Sequence, residues 1–425
     1  MKESPALAHS LEQGARWVAK VAGGRSLADE FGRALDREEP ASRGAVLDIT
    51  HGTLRRYGRS QSIVRVLSHR GSADPLVQAL LWCSLYLLDT GRHGEHTVVD
   101  QAVGACGLLE RWNAKGYVNA ILRSYLRQRA QIESRLPEDL EARYQHPRWW
   151  IDLVRNAYPE RWESVLMAGN SHPPMCLRVN ARRCSSADYL LRLRAGGIAA
   201  RQMQGSALLL EKPVPVDRLP GFEAGDVSVQ DVGAQRVAAC LDLRAGMRVL
   251  DACAAPGGKA AQVLESAKVE LVALDSDPQR TSRLERNLQR LGLRAEVRCV
   301  DCASVAAWWD GRPFERIVAD VPCSASGIAR RHPDLKWLRR ASDVPAFAAR
   351  QTAILDALWR VLAPGGKLLY VTCSVFPGEN EDVVGAFVAR VPQARRLPLP
   401  DDAPPQVLPD DEHDGFYYAL VEKTA

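Results

Sequence analysis

The sequence predicts a multidomain chain: an all-helical amino-terminal part, a small α/β piece, then a larger α/β domain on a parallel sheet. Three observations carry this. The 425 residues exceed the roughly 100–200 residues of a usual domain. Up to about residue 130, apolar residues recur at intervals of three and four with no alternating strand pattern. From about residue 231, short apolar runs alternate with helical stretches, the mark of strand–helix–strand units.

The helical part spans 1–130. Its clearest segments are LVQALLWCSLYLLD and YVNAILRSYLRQ, separated by polar or glycine-bearing breaks such as SHRGSADP (68–75). VQALLWCSLYLL (77–88) is the longest apolar stretch. It falls short of the ~18 residues a membrane span needs and reads as a buried helix. A connector rich in proline, tryptophan and charge follows at 131–165. In the small α/β piece, 166–230, CLRVN and SALLLEK read as strands, and SSADYLLRLRAGG as a helix ending at glycine. The last domain, 231–425, has strands at MRVLDA, ELVALD, AEVRCVD, RIVAD and KLLYVTC. Helices between them imply a parallel sheet covered on both faces, with ligands beyond the carboxyl ends of its strands. The acidic stretch 399–412 carries no functional signal.

Composition narrows the classes. The first twenty residues hold no apolar core and no small-residue cleavage pattern, so a cytoplasmic protein is expected. Ten cysteines in this length are too sparse for a disulfide scaffold. CVDC (299–302) has CxxC spacing but lacks a second ligand pair, so no metal is expected. A net charge of +5 permits a nucleic-acid partner without requiring one. Basic residues cluster in IARRHPDLKWLRR (328–340).

VLDACAAPGGKA (249–260) follows the first strand of the last domain and opens a helix. Gly257 and Gly258 let the backbone approach a ligand, and the helix start offers free N–H groups. No GxGxxG is present. Asp275 ends the second strand, where a carboxylate can accept both hydroxyls of a ribose. Asp301 ends the third, in reach of an adenine amine. Each aspartate read alone is equally a helix cap. Together they favour a nucleoside cofactor, without deciding between NAD and S-adenosylmethionine.

Two cysteines close two further strands: Cys323 in DVPCS and Cys373 in VTCS. A lone cysteine by a strand is most often core. Thr and Ser flank Cys373, however, and PGENED follows it. One chemistry uses two thiols and an acid together. Carbon 5 of cytosine becomes nucleophilic once a thiolate adds to carbon 6, and a second group near carbon 5 assists the later release. An acid at the ring nitrogen stabilises the charge that develops. Cys373, Cys323 and Asp320 supply those residue types on one edge.

ADVPCSASGIARRHPDLKW (319–337) and LLYVTCSVFPGENEDVV (368–384) resemble signature blocks of the RNA 5-methylcytosine methyltransferases. DACAAPGGK resembles that family's S-adenosylmethionine loop, and HDGFYYAL (413–420) its closing strand. HTVVDQAVGACGLLERWNAKGYVNAILRSYL (96–126), GYVNAILR above all, resembles the NusB-like RNA-binding domain. Periodicity alone does not separate that domain from a generic helical bundle.

The resemblance implies a NusB-like helical domain, then a small α/β subdomain and a Rossmann-like methyltransferase domain. Cys373 would be the nucleophile at carbon 6, Cys323 would promote release, and Asp320 would contact the base. Cys253, Ala254, Ala255, Pro256, Gly257, Gly258, Lys259, Asp275 and Asp301 would hold S-adenosylmethionine, with Asp320 at its edge. The NusB-like part points to 16S ribosomal RNA, free or in an early small-subunit particle. Arg330, Arg331, His332 and Lys336 are candidates for RNA contact, with Arg339 and Arg340 beside them, and Trp337 would pack the loop or stack a base. A tRNA substrate, a non-catalytic RNA-binding factor and an NAD oxidoreductase are the alternatives; intact cysteines oppose the second and the missing GxGxxG the third.

Overall fold

The computed structural model describes residues 7–28, 30–68, 72 and 74–424. The amino-terminal residues before 7, and 69–71 and 73 within the break expected at 68–75, lie outside them. The chain forms two compact units, Met1–Ser171 with Ala329–Ala341, and His172–Ile328 with Ser342–Ala425. The units do not follow chain order. Within the span 231–425, residues 329–341 cluster with the helical unit.

Among the described residues the first unit holds no strand. Its long helices are Leu7–Ala22, Pro40–Arg55, Tyr57–Leu67, Pro75–Thr90, Glu95–Leu108 and Lys115–Arg135. Pro75–Thr90 shows why the sequence folds this way. Asp74 caps it by accepting from the Leu76 and Val77 amides, Pro75 takes the first position, where no amide donor is needed, and Gly91 ends it in the left-handed conformation. Its residues from Leu80 to Leu88 are all buried against the neighbouring helices. None of the described helices is long and apolar enough to cross a membrane. The connector is helical too, with Leu140–Tyr144, Arg148–Ala157 and Trp162–Ala168.

The second unit carries two sheets. The smaller contains β1 (Cys176–Val179), β2 (Ala200–Gln202), β3 (Ala207–Leu210) and β4 (Val227–Val229). They are antiparallel in the order β2-β3-β1-β4, and helix Ser186–Ala195 packs Tyr189 and Leu193 onto Leu177, Val179 and Leu208. β2 and β4 are too short to show an apolar period and were not expected.

The larger sheet is formed by β5 (Arg248–Asp251), β6 (Glu270–Asp275), β7 (Glu296–Cys299), β8 (Phe314–Asp320), β9 (Leu362–Thr372), β10 (Ala394–Leu397), β11 (Gln406–Val407) and β12 (Phe416–Lys423). Its order is β10-β12-β9-β8-β5-β6-β7, with β11 beside β12. β5 to β9 are parallel, as expected, while β10, β11 and β12 close the edge antiparallel. The central parallel strands are apolar on both faces, with Val249, Leu250, Ile317 and Val318 fully buried between two cores, while β7 at the edge is partly exposed. Strand order reverses between β5 and β8, which opens a crevice at their carboxyl ends. This is the Rossmann-like methyltransferase architecture.

Candidate active site

Four strands deliver a carboxylate or a thiol to the carboxyl edge of the large sheet. β5 ends at Asp251, β6 at Asp275, β8 at Asp320, and β9 runs directly into Cys373. Parallel pairing sets Asp320 opposite Val371, so Cys323 and Cys373 leave adjacent strands at matching heights. Their sulfurs stand 3.5 Å apart. The hydrogen bond with Cys373, then burial, hold the Cys323 thiol well above its ordinary pKa. Cys323 is buried and Cys373 half-buried. A reagent at this edge therefore meets Cys373 first, with a protonated thiol behind it.

Lys259, from the glycine loop, donates to Asp320 Oδ2 at 2.6 Å. Burial works against its ammonium, but Asp320, by charge and hydrogen bond, and then Cys373 raise its pKa above the usual lysine value. Lys259 is thus an ammonium at neutral pH. The pair joins the loop between β5 and helix Gly258–Ser266 to the end of β8.

The loop itself is shaped by Gly257, at φ +101°, which closes a turn onto the Ala254 carbonyl at 2.7 Å. A Cβ there would meet Leu284 Cδ1 at 2.6 Å. The Ala255–Pro256 bond is cis. Asp275 accepts from the Ala255 and Asp277 amides and pairs with Arg280. Asp301, two residues beyond β7, accepts from the Ala303 amide and pairs with Arg350 at 3.4 Å. Cys253 lies 3.9 Å from Cys302, and Cys299, the other cysteine of CVDC, is exposed.

Asp251 was not singled out in the sequence, although VLD ends its strand just as VALD ends the next. It is fully buried, and neither of its carboxylate oxygens accepts a well-formed hydrogen bond. Burial, then the charge of Asp320, raise its pKa to about 7, against the pull of Lys259 and the Cys253 amide. An unsatisfied buried carboxylate is costly unless a donor or a cation completes it. The edge as a whole carries Asp251, Asp275, Asp301 and Asp320, a setting that repels a pyrophosphate but suits a nucleoside diol joined to a cationic amine and sulfonium. The residues present fit S-adenosylmethionine.

The basic loop corrects one expectation. Arg330 is 1% and Lys336 0% exposed, so neither side chain is presented to phosphates. The Lys336 ammonium donates to Gln145 O at 2.9 Å, Asn170 Oδ1 at 2.7 Å and Arg55 O at 3.4 Å. Burial, then the Arg55 charge, push its pKa well below the ordinary value. Arg55 donates to the Arg330 carbonyl, and Asp334 accepts from Ser26 Oγ and the Leu27 amide. Trp337 donates to Leu54 O and lies 4.8 Å from the Tyr57 ring, so it packs the helical core. His332 is exposed and Arg331 half-buried.

Three family models match. Residues 238–422 match the 16S rRNA methyltransferase RsmB/F model, 146–217 the ferredoxin-like domain of RsmF/B-like methyltransferases, and 18–127 the NusB family. The chain is 43% identical over 425 residues to the ribosomal RNA small subunit methyltransferase B of Pseudomonas putida, covering 97% of this chain and 98% of that one. It is 41% identical to the protein of the same name from Vibrio cholerae, over 94% of each. Among solved structures, PH0851 aligns with TM-score 0.80 at 22% identity, over 97% of this chain and 99% of that one. A methyltransferase homologue from Pyrococcus horikoshii aligns with TM-score 0.60 at 26% identity, over 68% and 99% respectively. Identity of this degree along nearly the full length, in an edge shaped for this cofactor, settles the kinship: the chain belongs to the ribosomal RNA small subunit methyltransferase B family, whose members are S-adenosylmethionine-dependent methyltransferases.

Proposed function

We propose that the protein methylates carbon 5 of a cytosine in 16S ribosomal RNA through a temporary bond between Cys373 and carbon 6. The observation that carries this is the 3.5 Å approach of Cys323 to Cys373 just beyond the ends of adjacent strands, on the edge that also holds the Lys259–Asp320 ion pair.

S-adenosylmethionine, when bound across Asp251, Asp275, Asp301 and the 253–259 loop, supplies an electrophilic methyl group. The rest belongs to this chain's own residues. Cys373 adds as thiolate to carbon 6, and the ring becomes an enamine. Asp320 meets the hydrogen-bonding edge of the base, and Lys259 beside it shares the proton that neutralises the ring nitrogen. After methyl transfer a solvent water takes the carbon 5 proton, the double bond re-forms, and Cys373 leaves carbon 6 as a thiolate that the protonated Cys323 thiol stabilises as a hydrogen-bond donor. Cys323 assists this elimination from 3.5 Å away. The target base must leave its stack to reach the edge. Arg331 and His332 are the loop residues we retain for RNA contact.

Cys323→Ala should accumulate a covalent protein–RNA species, seen as a slow band on a denaturing gel of enzyme, S-adenosylmethionine and 16S RNA or an early small-subunit particle. Cys373→Ser should abolish both methylation and that band. Bisulfite mapping of RNA from a strain lacking the protein should show one 16S cytosine losing its methyl group. A methylating Cys373→Ser enzyme would overturn the assignment.

A further inference from the structure

Behind the two cysteines lies a buried polar cluster that the covalent route does not use. Its members come from the residues just after each cysteine and from PGENED. Glu379 is 0% exposed. Its carboxylate accepts the Ser324 amide at 2.8 and 3.1 Å and the Ser324 hydroxyl at 2.7 Å. Ser324 is the residue after Cys323. A serine hydroxyl has one proton, and Glu379 takes it, so the Ser324 oxygen faces Ser374 at 3.2 Å as an acceptor. Ser374 is the residue after Cys373.

Asn380 does for Cys373 what Glu379 does for Cys323. Its Nδ2 donates to the Ser374 carbonyl at 2.9 Å, and its Oδ1 accepts from the Thr372 hydroxyl at 2.5 Å. These contacts lie on either side of Cys373. Ser326 closes the cluster, 3.0 Å from the Ser374 hydroxyl and accepting from the Val375 amide at 2.8 Å. Tyr370 donates to the Glu379 carbonyl at 2.6 Å and ties the pair to β9.

A buried carboxylate is a strong acceptor that is expensive to leave unpaired, so it fixes the backbone it holds. We propose that Glu379 and Asn380 are positioning residues, Glu379 fixing the Cys323 loop and Asn380 the Cys373 loop, so that together they set the spacing of the two sulfurs. The two side chains differ in charge, and that of Glu379 also helps raise the Cys323 pKa. They act through the serines and threonine that flank each cysteine.

This inference rests on the covalent route above and predicts opposite failures for neighbouring residues. With Glu379→Ala the nucleophile stays in place while the release group drifts. Turnover should fall at least tenfold, KM for RNA and affinity for S-adenosylmethionine should stay within twofold, and the trapped fraction of enzyme should rise as in Cys323→Ala. With Asn380→Ala attack itself should fail. In the Cys323→Ala background, Asn380→Ala should reduce the trapped band at least tenfold, and Glu379→Ala should leave it unchanged.

Where an alanine variant does not fold, Glu379→Gln replaces it, keeping one acceptor for Ser324, and Asn380→Ser replaces the other, keeping a short donor and acceptor. Their defects should be of the same kind and several-fold smaller. Thermal melting of each variant reports the folded fraction. Product and adduct falling together in both Glu379 and Asn380 variants, in step with folded protein, would overturn the proposal, as would turnover within twofold of wild type. An absent band in Cys323→Ala alone would mark failure of the covalent route instead, and the inference would fall with it.

Discussion

Lys336→Met separates two uses of the basic loop. Methionine has nearly the volume and length of lysine, so packing is kept while the ammonium is lost. Three oxygens would lose their donor. Gln145 O and Asn170 Oδ1 sit at 2.9 and 2.7 Å, and Arg55 O, at 3.4 Å, is a weak partner. A buried acceptor left unsatisfied costs about 1–3 kcal/mol, so two strong losses amount to about 2–4 kcal/mol after partial relaxation. At about 2–4 °C per kcal/mol for a body of this size, melting of the helical unit should fall by about 5–15 °C. Differential scanning calorimetry of the full-length protein reads this directly. Binding of 16S RNA, measured in parallel below the melting range, should keep its affinity and its slope against salt. An unchanged melting temperature, with the salt slope reduced by about one, would refute the buried role and return Lys336 to the phosphates.

Other outcomes follow from the same contacts. Gly257→Ala places a Cβ 2.6 Å from Leu284 Cδ1 on a backbone at φ +101°, so titration calorimetry should show S-adenosylmethionine bound at least tenfold more weakly. His51, in the helical unit, has its pKa lowered to about 4, chiefly by burial and then by Arg55, with Asp334 and Asp48 opposing and His332 adding to the effect. The folded form thus resists a proton that the unfolded chain takes up near pH 6.5. Stability is complete above that value and declines as pH drops towards about 4, by about 3 kcal/mol in all. His51→Gln should flatten that part of the urea-midpoint profile. Cys323→Ala and Cys373→Ser should part as stated above, one trapping RNA and the other inert to it.

The parallel core was legible because β5, β6, β8 and β9 carry apolar runs separated by helical stretches, and Asp275, Asp320 and Cys373 stand at or just beyond the ends of three of them. β2, β4 and β11 are two or three residues long and show no period to detect. The cysteine pair was legible as two strand ends, but their 3.5 Å approach depends on β8 and β9 being neighbours. An aspartate after VL reads as an ordinary strand terminus; only burial without a well-formed hydrogen bond singles Asp251 out. The burial of Lys336 was illegible for a different reason. Its acceptors lie at residues 55, 145 and 170, and no local pattern announces that three oxygens so far apart in sequence converge on one ammonium. A run of positive charge resembles a solvated face whether its partners are phosphates or carbonyls.

The segment 329–341, counted with the helices, also bears on how the protein is born. The ribosome must add residues 172–328 after the last helix before this piece exists. At about 5–20 residues per second, that is on the order of ten seconds or more. Through that interval the nascent amino-terminal half lacks the tryptophan that seats against Tyr57 and the lysine that quiets the Gln145 carbonyl. Its folding is therefore finished late, by a fragment translated within the catalytic gene segment, and cleavage or frameshift anywhere in between would strand an incomplete helical half for chaperones and proteases to find.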